Sequence, residues 1–141
     1  MNRPTFDAVA VGDALPTVEY PLTRESLVRY AGASGDFNEI HWNERAALAV
    51  GLPDVIAHGN LTMALAARHV VAWCGDPTAI VEYGVRFTRP VVVPDDGAGA
   101  VVEISGTVAD RLDDGCVRVD LVVKSAGQKV LGQSRAVVRL P

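Results

Sequence analysis

One segment of the sequence, residues 60–74, constrains the fold more than any other, because its pattern predicts a helix that is apolar on nearly every face. Four of its residues are polar or charged, namely Asn60, Thr62, Arg68 and His69. A helix that is hydrophobic nearly all round is expected to be buried. It also carries four alanines, which would let a sheet approach closely: Ala64, Ala66, Ala67 and Ala72. The segment therefore predicts a sheet wrapped around one central helix.

The second half of the chain supplies the strands of such a sheet. Residues 79–89 alternate between apolar and polar side chains, and comparable runs follow at about 100–109, 116–125 and 129–140. The stretches Leu-Asp-Asp-Gly and Ser-Ala-Gly-Gln separate the last three runs. Turn signals between alternating runs are typical of an antiparallel meander. We therefore expect an α+β protein with one antiparallel sheet.

Shorter elements precede the long helix. Residues 18–22 alternate as a short first strand, and the proline within them predicts a position at the edge of the sheet. Thr23 is a good N-cap for a helix over residues 24–32, and Asn43 is a good N-cap for a helix over residues 44–50. The order is therefore early short helices, one long helix, and then the meander.

Length and composition narrow the class of protein. A chain of 141 residues is expected to form a single domain, 1–141, with a core of its own. The net charge of −4, without a run of lysine or arginine, argues against nucleic acid as a partner. No apolar stretch approaches the roughly 20 residues of a membrane span, and the start lacks the apolar core of a signal peptide. We expect a cytoplasmic protein.

Residues 34–41 carry the groups that could do chemistry. Asp36, Asn38 and His41 lie within six residues, behind a glycine that allows a sharp turn. A carboxylate and an imidazole this close could share one water or one hydroxyl, as proton transfer requires. The alternative from spacing alone is an ordinary loop, since Asp and Asn also stabilise turns, with His41 as a surface histidine.

The same stretch resembles the hydratase motif Ser-Gly-Asp-x-Asn-Pro-Ile-His-x5-Ala of the MaoC-like (R)-specific enoyl hydratases and (3R)-hydroxyacyl dehydratases. One departure is that Glu39 stands where the family has proline. That proline stiffens the loop and supplies no reacting group. The resemblance implies the hot-dog fold, in which an antiparallel sheet wraps around a central buried helix. The chain looks most similar to the catalytic B-type subunit of the type-II fatty-acid dehydratase.

The resemblance also implies roles for individual residues. Asp36 and His41 would be the catalytic pair, and the N–H of Gly59 would form an oxyanion hole at the start of the long helix, where helical N–H groups lack partners. Four further residues are expected to support the loop or contact substrate: Ser34, Asn38, His58 and Thr62. Among these, His58 is expected to fix the turn before the helix.

The implied reaction is the reversible dehydration of a (3R)-3-hydroxyacyl thioester, on acyl carrier protein or on coenzyme A, to the trans-2-enoyl thioester. Neither redox chemistry nor decarboxylation is needed, so no cofactor is expected. Asp36, His41 and His58 lack the helical i, i+4 spacing of a metal site, so no metal is expected either. A helix packed on one side of a sheet leaves an edge to cover, which predicts a homodimer or a heterodimer.

Two other functions remain possible from the sequence. The chain could be a non-catalytic or stabilising subunit of a hetero-oligomeric dehydratase, although such a subunit is expected to lack the Asp36–His41 pair. It could also be a hot-dog thioesterase, but the acidic residue of those enzymes lies on the central helix. Residues 60–74 contain no Asp or Glu, which ranks this function last.

Overall fold

The structure is a computed structural model that describes residues 3–141. Within that range, three α-helices and five β-strands form the elements of the fold, and short 3-10 turns connect some of them. In chain order they are β1 (Ala14–Leu22), α1 (Arg24–Ser34), α2 (Glu44–Ala49), α3 (Gly59–Cys74), β2 (Ile80–Phe87), β3 (Ala100–Arg111), β4 (Cys116–Ser125) and β5 (Gln128–Arg139).

The five strands form one sheet in the order β1-β3-β4-β5-β2, and every neighbouring pair is antiparallel. Strands β3, β4 and β5 make the predicted meander. Strand β1 lies at one edge, as its proline predicted, but it begins at Ala14 rather than near residue 18. Its pairing with β3 shifts register between Leu15 and Val18. Pro16 lies in that irregular stretch, where a residue without an N–H breaks no regular ladder.

Helix α3 packs against the sheet and contacts β1, β2, β3 and β5. Its buried side is formed by residues at helical spacing: Thr62, Leu65, Ala66, His69, Val70 and Cys74. The opposite stripe, which includes Ala64, Arg68 and Ala72, is exposed. The sheet of a single chain covers one face of the helix, so the burial is one-sided. None of the helices within residues 3–141 combines the length and the hydropathy that a membrane span requires.

Helix α1 delivers the motif loop to a fixed position. Thr23 caps its start in a capping box with Ser26. Gly35 ends it in the left-handed conformation, with φ of 76°, and donates its N–H to the carbonyl of Ala31. The chain therefore turns sharply immediately before Asp36.

A short antiparallel bridge holds the segment that leads into α3. Ile56 pairs with Val92 outside the main sheet. On either side of this pair, Ala57 donates to the carbonyl of Val91 at 2.8 Å, and Val93 donates to the carbonyl of Val55 at 2.9 Å. The bridge fixes residues 55–57 beside the motif loop.

Candidate active site

Asp36 and His41 face each other across a short gap. His41 Nε2 lies 4.0 Å from Asp36 Oδ2. His41 is buried, with 9% of its side chain exposed, whereas Asp36 is 49% exposed. An oxygen atom at about 2.8 Å from both groups would lie off the line that joins them, within hydrogen-bond range of each. The pair can therefore share one hydroxyl or one water that arrives from solvent.

Ser34 and Asn38 hold Asp36 in this orientation. The Asp36 N–H donates to Ser34 Oγ at 3.2 Å, and Ser34 Oγ in turn donates to the carbonyl of Tyr30 at 2.7 Å. Asp36 Oδ1 accepts the N–H of Asn38 at 3.1 Å. This bond uses one carboxylate oxygen for the turn and leaves Oδ2 toward His41. Ser34 therefore holds the loop by hydrogen bonds from its hydroxyl to main-chain groups, and Asn38 holds it by a hydrogen bond from its own main-chain N–H.

The carbonyl of Ile56 fixes the tautomer of His41. His41 Nδ1 lies 2.7 Å from Ile56 O. A carbonyl oxygen accepts but cannot donate, so Nδ1 carries the proton, and in the neutral ring the lone pair is on Nε2, which faces Asp36. Ile56 also donates its N–H to the carbonyl of Ile40 at 3.2 Å. Sequence reasoning missed Ile56, because a main-chain group leaves no signal in the residue type.

His58 stacks directly on His41. The two ring centroids are 3.9 Å apart with an interplanar angle of 23°, and the edge of Tyr30 covers His58 at 4.7 Å. His58 Nε2 donates to the carbonyl of Asp36 at 3.1 Å, which leaves Nδ1 as the acceptor nitrogen of the neutral ring. Burial lowers the pKa of His58, and the hydrogen bond to Asp36 opposes that shift. The neutral His58 ring thus bonds to the loop that carries Asp36 and packs on His41.

Gly59 and Thr62 open helix α3 next to this stack. Gly59 is the first helical residue, directly after His58, so its N–H lies at the end of the helix where N–H groups have no helical partner. A methyl group on Gly59 would come 2.9 Å from Cε1 of Phe87. Thr62 is buried and donates its N–H to the carbonyl of His58 at 3.3 Å. The N–H of Gly59, the predicted oxyanion donor, therefore lies one residue along the chain from His58, whose ring stacks on His41.

Asp36, His41 and His58 also bring possible metal-ligand atoms within 4.8 Å of one another. The nitrogen lone pairs of an imidazole lie in the plane of its ring. Because the rings of His41 and His58 stack with an interplanar angle of 23° and centroids 3.9 Å apart, their lone pairs lie in separate, nearly parallel planes and do not converge on one point. A tetrahedral metal needs ligands that converge. This arrangement suits proton transfer better than metal binding.

A five-stranded antiparallel sheet packed against one long helix, with an Asp–His pair beside the start of that helix, defines a hot-dog protein with a candidate site for proton transfer. The chain belongs to the MaoC like domain family, whose model matches residues 7–126. This confirms the family and the hot-dog fold that the motif predicted.

The relatives extend this family assignment. A solved structure of a MaoC-like dehydratase superposes with a TM-score of 0.94 at 44% identity, over 99% of this chain and 43% of that one. The 3-hydroxyacyl-thioester dehydratase X of Mycobacterium tuberculosis is 38% identical over 91 residues, 64% of this chain and 31% of that protein. The chain thus spans less than half of both. The 3-oxo-4,17-pregnadiene-20-carboxyl-CoA hydratase beta subunit of the same organism is 29% identical over 122 residues, 86% of this chain and 87% of that subunit.

Proposed function

We propose that this chain is a hydro-lyase that interconverts a (3R)-3-hydroxyacyl thioester and its trans-2-enoyl thioester by removing or adding water. The observation that carries the proposal is the 4.0 Å approach of His41 Nε2 to Asp36 Oδ2, with the His41 tautomer fixed by Ile56. The dehydratase and hydratase relatives support the same class of reaction. The similarity to the B-type dehydratase subunit of fatty-acid elongation favours acyl chains as the substrates.

In the proposed elimination, the Asp36–His41 pair takes one proton from the substrate and returns one to the leaving hydroxyl. His41 Nε2 takes the proton from C2 of the substrate, and the electron pair of that bond delocalises onto the thioester oxygen as an enolate. When the 3-hydroxyl leaves, this electron pair forms the double bond between C2 and C3. Asp36 Oδ2 binds and polarises the 3-hydroxyl, which leaves as water with a proton supplied by the Asp36–His41 pair. Both groups lie within reach of one oxygen atom, so the proposal assigns the acid and the base to the pair as a whole. Hydration runs through the same steps in reverse.

The N–H of Gly59 completes the proposed site. Removal of the C2 proton places negative charge on the thioester oxygen, and a free N–H at a helix start stabilises such an oxygen through its hydrogen bond and the partial positive charge there. Ser34, Asn38 and His58 maintain the loop in this proposal, and Thr62 lines the start of the helix. All of these groups belong to the chain itself, so the proposed mechanism uses no cofactor and no metal.

The test is the hydration of crotonyl thioesters of coenzyme A and of acyl carrier protein. The rate is measured as the decrease in the absorbance of the enoyl thioester. Asp36→Asn and His41→Ala should each lower turnover by roughly 10²–10⁴, the range of a lost general acid or base. Asp113→Asn, an exposed residue of the turn after β3, is the matched control. Turnover at the wild-type rate in either site variant would remove that residue from the mechanism. Longer enoyl chains and the configuration of the product then define the substrate.

A second proposal concerns assembly. Strand β2 is an edge strand of the described sheet, and two of its apolar side chains, Val81 and Phe87, are 48% and 55% exposed. An open apolar edge favours pairing with another chain. We propose a homodimer, or a heterodimer with a second hot-dog subunit, since the relative matched over most of its length is a beta subunit. Light scattering of the purified chain, alone and co-expressed with a candidate partner, distinguishes the two.

A thioesterase function has less support. Such enzymes activate water against the thioester carbonyl with an acidic residue on the central helix, and α3 carries none. Release of free thiol from an acyl thioester, measured in the same assay, would favour it over the lyase.

A further inference from the structure

Arg24 and Asp54 form an ion pair that joins helix α1 to the segment before α3. Arg24 is the first residue of α1, and its guanidinium donates to Asp54 Oδ1 at 2.6 Å and to the carbonyl of Val93 at 2.5 Å. The two side chains are 21% and 22% exposed. Because they are mostly shielded from water, their interaction is less screened than that of a surface pair. We call this pair the Arg24–Asp54 brace.

A short series of hydrogen bonds connects Asp54 to His41. Asp54 Oδ1 also accepts the N–H of Val55 at 2.7 Å. Val55 is bonded to Val93 across the short bridge, and the next residue, Ile56, accepts the Nδ1 proton of His41. The carbonyl of Val93 that Arg24 contacts belongs to the same bridge. The guanidinium therefore bonds directly to one segment of the bridge, at the carbonyl of Val93, and through Asp54 to the other segment, which carries the carbonyl that accepts from His41.

The Arg24 side of the brace leads to Asp36. Helix α1 runs from Arg24 to Ser34, and its C-terminal turn holds Asp36 through Ser34 and Gly35. A helix of this length is a rigid rod, so an anchor at its start constrains the position of its end. One end of α1 is thus attached to the support of His41, and the other end carries Asp36.

We infer that Arg24 and Asp54 are positioning residues, which set the distance between Asp36 Oδ2 and His41 Nε2. Neither residue is part of the Asp36–His41 site itself. The inference rests on the proposed function where it concerns turnover. It concerns geometry, however, so it also predicts an effect on the His41 ring that needs no substrate. Asp54→Asn retains the oxygen that accepts from Val55 and Arg24, whereas Asp54→Ala removes it.

The experiment is a double-mutant cycle of Arg24→Met and Asp54→Ala. A displacement of about 1 Å at a reacting group costs up to roughly 100-fold in rate, so we expect each variant to lose about 10- to 100-fold in kcat. KM should change far less, because the substrate contacts remain. Since the two residues act as a unit, the double variant should be no worse than the single ones. Asp54→Asn should retain most of the turnover.

The matched control is Arg29→Met. Arg29 lies on the same helix and pairs with Glu25, but both side chains are mostly exposed at 79% and 70%. It should leave kcat unchanged. Arg24→Lys, which keeps the charge, is the milder variant to use where circular dichroism shows that Arg24→Met does not fold. Wild-type kcat in folded Arg24→Met and Asp54→Ala would overturn the inference, as would equal losses in Arg29→Met.

A spectroscopic measurement separates this inference from the proposed function. In nitrogen-15 NMR, the His41 Nδ1 proton of the wild type should exchange slowly, because it is bonded to Ile56 and buried. In Arg24→Met and Asp54→Ala that proton should exchange faster, and in Arg29→Met it should not. This pattern in a protein without hydratase activity would sustain the positioning role and reject the lyase. Unchanged exchange in all three variants would reject the positioning role.

Discussion

The imidazole of His41 stacks on that of His58, with centroids 3.9 Å apart, although the two residues belong to different segments. The His58 ring is fully buried, and its Nδ1 has no hydrogen-bond partner among residues 3–141. A buried polar atom without a partner costs free energy of about 1–3 kcal/mol. The protein therefore places His58 in an unfavourable position that nevertheless orders the Asp36 loop and the His41 ring.

Replacing His58 should separate stability from turnover. His58→Leu removes the unpartnered nitrogen but also the hydrogen bond to the carbonyl of Asp36. We expect a free energy of unfolding within about 1 kcal/mol of wild type and a clear loss of kcat. His58→Gln keeps a donor near the position of Nε2 and should retain more turnover than His58→Leu. Urea denaturation and the crotonyl thioester assay measure the two effects. Equal turnover in both variants would show that the donor to Asp36 is unimportant.

A side chain at Gly59 should lower the free energy of unfolding modestly while Phe87 covers this position. In Gly59→Ala the new methyl would lie 2.9 Å from Cε1 of Phe87, so the ring must move. Overpacking costs about 1–3 kcal/mol, and we expect the low end because Phe87 is 55% exposed and free to rotate.

The matched background for this test is Phe87→Ala. With the ring removed, Gly59→Ala should no longer lower the free energy of unfolding. Urea denaturation of the four proteins in this cycle gives the coupling between the two positions. A coupling of zero would mean that Phe87 does not pack on Gly59 in solution.

Glu39→Pro should stabilise the protein. Glu39 is the first residue of a 3-10 turn, a position that proline favours, and Asn38 before it has φ of −55° and ψ of 126°, which a residue preceding proline readily adopts. Proline at a compatible site stabilises by about 0.4–1 kcal/mol through the unfolded chain.

The control for this change is Glu39→Ala. The Glu39 carboxylate accepts from Asn43 Nδ2 at 3.3 Å, and both Glu39→Pro and Glu39→Ala remove that bond. Thermal denaturation should therefore place Glu39→Pro above Glu39→Ala. The reverse order would show that the backbone of this turn does not accept proline.

Stability should fall as the pH falls below about 6.5, the ordinary pKa of histidine. Burial lowers the pKa of both His58 and His69 in the folded state. Below 6.5 the unfolded chain therefore binds more protons than the folded one, which lowers the free energy of unfolding by up to about 1.4 kcal/mol per pH unit for each histidine. His69→Gln removes one of these groups. Urea denaturation between pH 5 and 7 should give a shallower slope for His69→Gln than for wild type, and identical slopes would contradict the prediction.

Local sequence signals predicted the elements well. Thr23 and Asn43 cap α1 and α2 as expected, and the alternating runs became β2 to β5 with boundaries within about two residues, the ordinary limit of such predictions. The start of β1 was missed, because Pro16 interrupts the alternation where the pairing with β3 shifts register. The one-sided burial of α3 was missed as well, since composition does not say how many faces a single sheet covers.

The candidate site likewise contains features that local sequence signals predicted and features that depend on distant contacts. The amino-acid sequence places a carboxylate and an imidazole within six residues, at Asp36 and His41, but from spacing alone it leaves an ordinary loop open as the alternative. It also determined the meander and the apolar helix, since periodicity is a local property. The groups that support the pair are distant along the chain and meet it through folding. They are the carbonyl of Ile56, 15 residues from His41, the ring of His58, 22 residues from Asp36, and the carbonyl of Val93, 69 residues from Arg24. These contacts depend on main-chain groups and ring faces that any packing could present, so their partners are set by how the elements meet in space.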